Sequence, residues 1–163
     1  MKADSGKEAR CLVSGGVRGK FKELWKRVEA VQKKAGVFDL LLCVGEFFGD
    51  DDDANQALLA GQPAPPIPTY ILGPCTPETA HYFEAAEDGA ELGPNLTFLG
   101  SKGVLNTANG LSIAYLSGKE RSSRDASSFD SQSVKELVIP ATANLEYQGV
   151  DVLLSSDWPR SVA

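Results

Sequence analysis

Short apolar runs that end near a glycine recur along the chain and alternate with more polar stretches. Apolar runs of about four to eight residues are typical of strands buried on both faces of a sheet. The first three runs are spaced by roughly 30 residues, the length of one strand–helix–strand unit, so the pattern predicts an α/β fold with a mixed or mostly parallel sheet. The predicted strands are Cys11–Ser14, Phe38–Val44, Thr69–Leu72, Leu111–Leu116 and Val150–Leu154, with briefer runs at Thr97–Leu99 and Val104–Leu105.

The segment from Lys20 to Lys34 has the spacing of an amphipathic helix. Lys and Glu fill one side, and apolar residues recur every three to four positions on the other, as in a helix packed on a sheet. Gly36 is a typical helix stop. The apolar positions are Phe21, Leu24, Trp25, Val28 and Val31.

The acidic run Asp50–Asp53 predicts the start of a short helix through Leu58 and Leu59, because carboxylates are favoured at a helix N-terminus. A calcium-binding EF-hand loop is excluded by its sixth and twelfth positions. These must be Gly and Glu but are Asn55 and Gly61.

Three later segments complete the predicted outline. A short helix is expected from Pro77 to about Glu87, closed by Asp88 and Gly89. The stretch Gly118–Ser133, rich in Ser and charge, is expected to be a mobile surface loop. A further short helix is expected over Ser133–Ile139, ended by Pro140.

The length of 163 residues fits one domain, which we place at residues 10–163 after a flexible N-terminus of residues 1–9. No apolar run approaches the roughly 20 residues needed to span a bilayer, so no membrane contact is expected. The polar start of the chain does not have the pattern of a signal peptide. The three cysteines, Cys11, Cys43 and Cys75, form no close pair, and their apolar surroundings predict reduced thiols in an intracellular protein.

The formal net charge is −6, and an acidic surface repels phosphate backbones. RNA contact by this chain alone is therefore expected to be weak or absent. One local cluster is basic although the net charge is negative. We interpret this cluster as the solvated face of a helix. The cluster consists of Arg18, Lys20, Lys22, Lys26 and Arg27.

The loop from Ser14 to Lys20 joins a strand to a helix and invites comparison with nucleotide-binding loops. A Walker loop requires Gly where Ser14 stands and Ser or Thr where Phe21 stands, and a Rossmann fingerprint is broken at Val17. A small anion- or nucleotide-binding module at Gly15–Gly19 stays open as a third alternative. Catalysis by Cys75 or by a serine triad would require His81, the chain's one histidine, and no nucleophile elbow is present.

The same loop resembles the first motif of the calcineurin-type metallophosphoesterases, Gly-Asp-x-His-Gly after a strand. That family's later motifs, Gly-Asp, Gly-Asn-His-Glu and a final His, follow the second, third and last strands. The resemblance implies a metallophosphoesterase-like fold, C-terminally abbreviated, whose metal ligands are replaced. The replacing residues, a vestigial cleft, are Gly16, Arg18, Glu46, Pro74, Cys75 and Ser155 or Ser156.

Two-metal catalysis needs several carboxylate and imidazole ligands around a bridging water. Only Glu46 among the matched positions is a potential ligand, and Arg18 brings positive charge where a ligand belongs. We therefore expect no metal, no cofactor and no catalytic residue, and hypothesise an ion pair between Arg18 and Glu46. The alternative is a metal-dependent phosphodiesterase with a reduced site at Glu46, helped by Asp50 or Asp157.

Longer phrases resemble the N-terminal domain of the CwfJ family, the CWF-nineteen-like proteins, whose yeast relative is called the debranching-enzyme-associated ribonuclease. The resemblance implies a nuclear splicing factor of late spliceosomes and intron-lariat turnover. It implies a non-catalytic domain that acts with the lariat debranching enzyme and with late spliceosome proteins. The phrases are Phe38–Gly49, Ile67–Gly73, Leu96–Gly103 and Val150–Pro159, together with Val31–Lys34.

Overall fold

The structure, a computed structural model, describes residues 8–83, 88–122, 125–143 and 148–158. Strands and helices alternate through its first half, as the apolar pattern predicts. The strands are β1 Cys11–Ser14, β2 Leu40–Cys43, β3 Thr69–Ile71, β4 Ala90–Gly93, β5 Leu96–Phe98, β6 Lys102–Asn106, β7 Ser112–Leu116, β8 Lys119–Glu120, β9 Ser128–Phe129 and β10 Val152–Ser155. The helices are α1 Phe21–Ala35, α2 Asp52–Leu59 and α3 Ser131–Ala143, with a 3₁₀ turn at Pro77–Tyr82.

Two sheets carry most of the strands. The larger has the order β1-β2-β3-β5-β4, in which only the β4–β5 pair is antiparallel. The smaller has the order β10-β7-β6, with β10 parallel and β6 antiparallel to β7. The α/β fold is thus confirmed, but the strands form more than the one mixed sheet that the pattern predicts.

The second strand shows why a continuous apolar run is needed at the centre of the larger sheet. All four residues of β2 are buried. Leu41 and Cys43 face a core that also contains Phe21 and Trp25 of α1, whereas Leu40 and Leu42 face the smaller sheet. The order of the layers is therefore α1 and α2, then the larger sheet, then the smaller sheet, with a core on each face of β2. The core between the sheets contains Leu40, Leu42, Leu72, Leu99, Ile113 and Leu154.

The amphipathic helix is confirmed with bounds one residue later than predicted, and Gly36 follows its last residue. Phe21, Trp25 and Val28 are buried, but Val31 is 38% exposed. The acidic start of α2 is also confirmed, because the Asp51 carboxylate accepts a hydrogen bond from the Ala54 N–H at 3.1 Å and caps the helix.

The turn after β3 is shorter than predicted. The 3₁₀ turn ends at Tyr82, and the predicted end of that helix, at residues 84–87, lies outside the described residues. Asp88 and Gly89 lead into β4, a short strand that the apolar pattern did not predict.

The stretch Gly118–Ser133, which was expected to be a mobile surface loop, contains short elements of regular structure. β8 and β9 pair in parallel within it, and α3 already begins at Ser131. The Lys119 N–H donates to the Ser127 carbonyl at 3.0 Å and the Arg121 N–H to the Phe129 carbonyl at 3.0 Å. Backbone pairing of this kind leaves no mark on a sequence dominated by Ser and charge.

The expectation that Pro140 ends the last helix is also wrong. α3 runs past Pro140 to Ala143 and begins two residues earlier than predicted. A proline inside a helix removes one N–H donor and crowds the carbonyl four residues earlier, at a cost of about 3 kcal/mol. This cost makes a helix end probable from sequence, but it does not force one.

Candidate functional site

The loops that follow β1, β2, β3 and β10 meet at one end of the sheets and enclose a cleft. The carboxyl ends of parallel strands lie at the same edge, so loops distant in sequence become neighbours there. The cleft has a volume of about 560 Å³. It is lined by Gly16, Arg18, Gly45, Glu46, Phe48, Gly49, Asp50, Cys75, Thr76, Glu78, Thr79, Lys119 and Ser156.

The loops after β1 and β2 approach so closely that side chains are excluded between them. The N–H groups of Val17 and Arg18 both donate to the Glu46 carbonyl, at 2.8 and 3.1 Å. Gly45 has a φ of +79°, and a Cβ built there would lie 3.3 Å from the Cα of Gly16. Glycine suits position 45 for two reasons: the backbone conformation is one that L-residues rarely adopt, and the loop after β1 leaves little room for a side chain.

The carboxylate of Glu46 accepts two hydrogen bonds from other residues of the chain. One oxygen accepts a hydrogen bond from the Cys75 N–H at 2.9 Å, and the other accepts from the Thr79 hydroxyl at 2.7 Å. Glu46 thereby fastens the 3₁₀ turn that follows β3 to the loop after β2. Hydrogen bonds to a carboxylate are stronger than those between neutral groups, so this contact favours a fixed cleft.

The hypothesised ion pair between Arg18 and Glu46 is wrong. Among the described residues, Arg18 makes no ion pair with Glu46, whose two oxygens are occupied by Cys75 and Thr79. Arg18 is exposed with a φ of +49°, and its Nε lies 3.8 Å from where a Cβ on Gly16 would be. It lines the cleft as an exposed cation.

The sequence comparison placed the final His of the metallophosphoesterase motifs at either Ser155 or Ser156, and the structure distinguishes these two serines. The Ser156 hydroxyl accepts a hydrogen bond from the Gly45 N–H at 3.0 Å and lines the cleft. Ser155 instead hydrogen-bonds within its own turn, to the backbone of Asp157. Only Ser156 therefore joins the residues that the motif comparison placed together.

The thiol of Cys75 lies in a mixed environment. Burial is the largest influence and raises its pKa, while a hydrogen bond from Ser156 lowers it. The negative charges of Glu46 and Asp157 raise the pKa further, and the positive charge of Lys119 opposes them. With a pKa raised overall, Cys75 has the character of a protonated thiol and not of an activated nucleophile.

Pro74 does not line the cleft. It is fully buried and borders a neighbouring cavity of about 470 Å³ together with Phe83, Phe98 and Ser117. The structure thus brings five of the seven predicted cleft residues to one place: Gly16, Arg18, Glu46, Cys75 and Ser156.

Three functional groups of this region were missed from the sequence. Thr79 donates a hydrogen bond to the carboxylate of Glu46, and Lys119 is a second basic residue that lines the cleft. Ser117 is buried, accepts from the Gly73 N–H at 2.8 Å and donates to the Gly100 carbonyl at 2.6 Å, so it ties the two sheets together. None of these three residues lies in a sequence motif, so only the three-dimensional structure identifies them.

The two-metal centre that is typical of the calcineurin-type metallophosphoesterases does not fit these side chains. Within residues 8–83, 88–122, 125–143 and 148–158, no three His, Cys, Asp or Glu side chains converge so as to hold a metal ion. The carboxylate at the bridging position already accepts two hydrogen bonds, and the flanking positions carry Gly16, Arg18 and Ser156. This donor set lacks the ligands that two-metal chemistry requires.

Fold and cleft together define an α/β protein with two facing sheets and a strand-end cleft built from glycine loops around one internally bonded carboxylate. No family profile matches the chain. The chain is 51% identical to the CWF19-like protein 1 homolog of Caenorhabditis elegans, over 96% of its own length. It is 46% identical to CWF19-like protein 1 of Mus musculus and 45% identical to that of Homo sapiens, again over 96% of its length.

These similarities support the CWF19-like family, as the resemblance had implied. The chain spans 29% of the length of each of these relatives. In the part of the chain that the structure describes, no helix has the length and apolar character needed to cross a membrane.

Proposed function

We propose that this chain is a non-catalytic interaction domain of a nuclear splicing factor. It acts in the late spliceosome and in intron-lariat turnover, where it binds the lariat debranching enzyme and modulates its activity. Its cleft serves as a scaffold for loops that contact partners, and it holds no catalytic metal.

The observation that carries this proposal is the state of the Glu46 carboxylate. Both of its oxygens accept internal hydrogen bonds, from the Cys75 N–H and the Thr79 hydroxyl. These bonds fix the carboxylate as an internal contact, and within the described residues no group of three His, Cys, Asp or Glu side chains is placed to hold a metal ion there. Arg18 at the rim adds a cation that repels a second one.

The place in splicing rests on the relatives. They carry the name CWF19-like protein 1, and the identity of 45–51% extends over nearly the whole chain. Since the relatives are much longer than this chain, their activities and partners come to it only as part of this proposal.

Two measurements test the interaction. A tagged 163-residue chain is incubated with nuclear extract, and the captured proteins are identified by mass spectrometry. We expect enrichment of the debranching enzyme or of late spliceosome proteins over an unrelated tagged domain of similar size and charge. Absence of both would contradict the proposal. The purified chain is then added to the debranching enzyme and a branched RNA, and an unchanged cleavage rate would rule out modulation while leaving binding intact.

A third measurement tests the absence of catalysis. The purified chain is assayed for metal content and for hydrolysis of bis-p-nitrophenyl phosphate in manganese. We expect neither stoichiometric metal nor turnover. Turnover that disappears in Glu46→Gln but survives in Glu91→Gln, an exposed glutamate on β4, would establish the reduced phosphodiesterase in place of this proposal.

A further inference from the structure

The charges of this chain are separated along the sequence. Residues 18–34 contain seven basic and two acidic side chains, a net charge of +5. The rest of the chain contains nine basic and twenty acidic side chains, a net charge of −11. The overall value of −6 therefore conceals one strongly basic segment, and this segment coincides with α1 and the loop before it.

All seven basic side chains are exposed. Phe21, Trp25 and Val28 turn the opposite side of α1 into the core, which fixes the outer side of the helix. We call this outer side the basic face of α1. At 100° per residue, Lys22, Lys26 and Lys33 fall in one row within about 40° of each other, and 15 residues extend about 22 Å. The basic face contains Arg18, Lys20, Lys22, Lys26, Arg27, Lys33 and Lys34.

Helix stability accounts for the basic residues of the last turn, Lys33 and Lys34, but not for those at the start of the helix. Lys20 stands at the N-cap without a side-chain hydrogen bond, and Lys22 follows in the first turn, where the helix dipole disfavours cations. Lys22 and Lys26 are four residues apart, a spacing at which like charges repel. Glu23–Arg27 and Glu29–Lys33 have the spacing of favourable pairs, yet no ion pair joins them among the described residues.

The size of the basic face decides which anion it fits. Charges separated by more than about 8 Å are largely screened at physiological salt, so a ligand is attracted only where it lies on the face. A long polyanion such as RNA would extend from a 22 Å patch onto a surface with a net charge of −11 and be repelled there. A short acidic protein segment stays within the patch, and its own basic residues can meet Glu23 and Glu29.

We propose that the basic face of α1 docks a short acidic segment of a partner protein. This inference rests on the proposed role as an interaction domain and names the surface and the chemistry of the partner. The segment needs several Asp or Glu side chains spread over about 20 Å, which matches the length of α1.

The test uses the full chain and three fluorescent probes: a hexapeptide of glutamate, which extends about 20 Å, a hexapeptide of alternating Glu and Lys, and a uridine decamer RNA. Anisotropy is measured at low and at physiological salt. We expect the glutamate peptide to bind at least roughly ten-fold more tightly than the other two, and its binding to weaken as salt is added. Lys22→Gln/Lys26→Gln should weaken it roughly five-fold, since two exposed ion pairs are lost.

The matched control is Lys102→Gln/Lys135→Gln, which removes the same charge outside the basic face and should leave the affinity unchanged. Equal loss in both double variants would mean that net charge alone drives binding and would overturn the inference. Tighter binding of the RNA, or no binding of the glutamate peptide at low salt, would also overturn it. Circular dichroism confirms that both double variants keep the fold.

The nuclear-extract capture separates this inference from the proposed function. If the wild-type chain captures its partners and Lys22→Gln/Lys26→Gln captures them equally well, the docking surface is wrong and the proposed function stands. If the wild-type chain captures none, the proposed function is wrong, and the peptide titration still decides whether the basic face selects acidic segments.

Discussion

The Ser156 hydroxyl accepts a hydrogen bond from the Gly45 N–H across 3.0 Å, although 111 positions separate the two residues. This contact joins the last strand of the smaller sheet to the loop after β2 of the larger one. Both residues line the cleft, so the contact fixes the two sheets relative to each other at the place where the candidate site is built.

Removing this contact should loosen the cleft. In Ser156→Ala, the partly buried Gly45 N–H loses its partner, and we expect the free energy of unfolding to fall by about 1–2 kcal/mol. Urea denaturation measures the change. Ser14→Ala is the matched control, because among the described residues the Ser14 hydroxyl hydrogen-bonds only to the carbonyl of its neighbour Gly15, at 3.4 Å. It should cost less than about 0.5 kcal/mol. Equal losses in the two variants would show that the inter-sheet bond is not important for stability.

A second prediction concerns Asn55, which is completely buried on α2. Its amide accepts from the Gly49 N–H at 3.2 Å and donates to the Gly49 carbonyl at 2.7 Å and to the Tyr82 hydroxyl at 2.9 Å. Asn55→Ala should destabilise the fold by about 2–3 kcal/mol, because it strands the polar groups of Gly49 beside the cleft.

Gln56→Ala provides the control for this change. Gln56 is the next residue of the same helix and is exposed, so its replacement by a better helix former should be neutral or slightly stabilising. Thermal unfolding of both variants makes the comparison. A loss below about 0.5 kcal/mol in Asn55→Ala would contradict the importance assigned to this amide.

The sequence predicts the alternation of strands and helices in the first half of the chain well, because buried strands leave recurring apolar runs. β1 and α1 were found within one residue, and the strand-end positions of Gly16, Glu46 and Ser156 could be aligned by motif. The sequence could not predict which of Ser155 and Ser156 faces the cleft, because that depends on one turn of backbone. It also could not predict that Glu46 would bond Thr79, because the 3₁₀ turn that positions Thr79 carries no periodicity of its own.

Asp125 gives a prediction for the acid range. The hydroxyl of buried Ser127 donates to its carboxylate at 2.6 Å and the Ser127 N–H at 2.8 Å, and these bonds lower the pKa of Asp125. Because the pKa is lower in the folded state, the contribution of Asp125 to stability is present above the ordinary pKa of an aspartate. It is lost as the pH falls through the folded value.

Carboxyl-carbon NMR through an acid titration measures this pKa directly. Ser127→Ala removes the hydroxyl donor, the largest of the causes, and should move the pKa of Asp125 upward toward its ordinary value. Ser14→Ala, far from this loop in sequence, should leave it unchanged. An Asp125 that titrates at its ordinary pKa in the wild-type chain would refute the hydrogen-bonded arrangement of β8 and β9 around Ser127.

Cys43 gives the corresponding prediction for the alkaline range. It is 2% exposed at the end of β2, and burial raises the pKa of its thiol to about 12. A thiolate is the reactive form, so Cys43 should resist alkylation by iodoacetamide in the folded chain at a mildly alkaline pH. Cys11, which is only partly buried, should react first, and in guanidinium all three cysteines should react alike. Modification of Cys43 as fast as Cys11 would contradict its position in the core.

The same shift makes stability depend on pH. An unfolded cysteine ionises near its ordinary pKa of 9.0, whereas folded Cys43 holds its proton until about 12. The folded state therefore binds more protons in this window, so the free energy of unfolding should decrease as the pH rises above about 9.0. Cys43→Val keeps an apolar side chain of similar size and removes the titrating group. Its unfolding free energy should decrease less steeply than that of the wild-type chain over the same window, and identical slopes would show that Cys43 ionises normally.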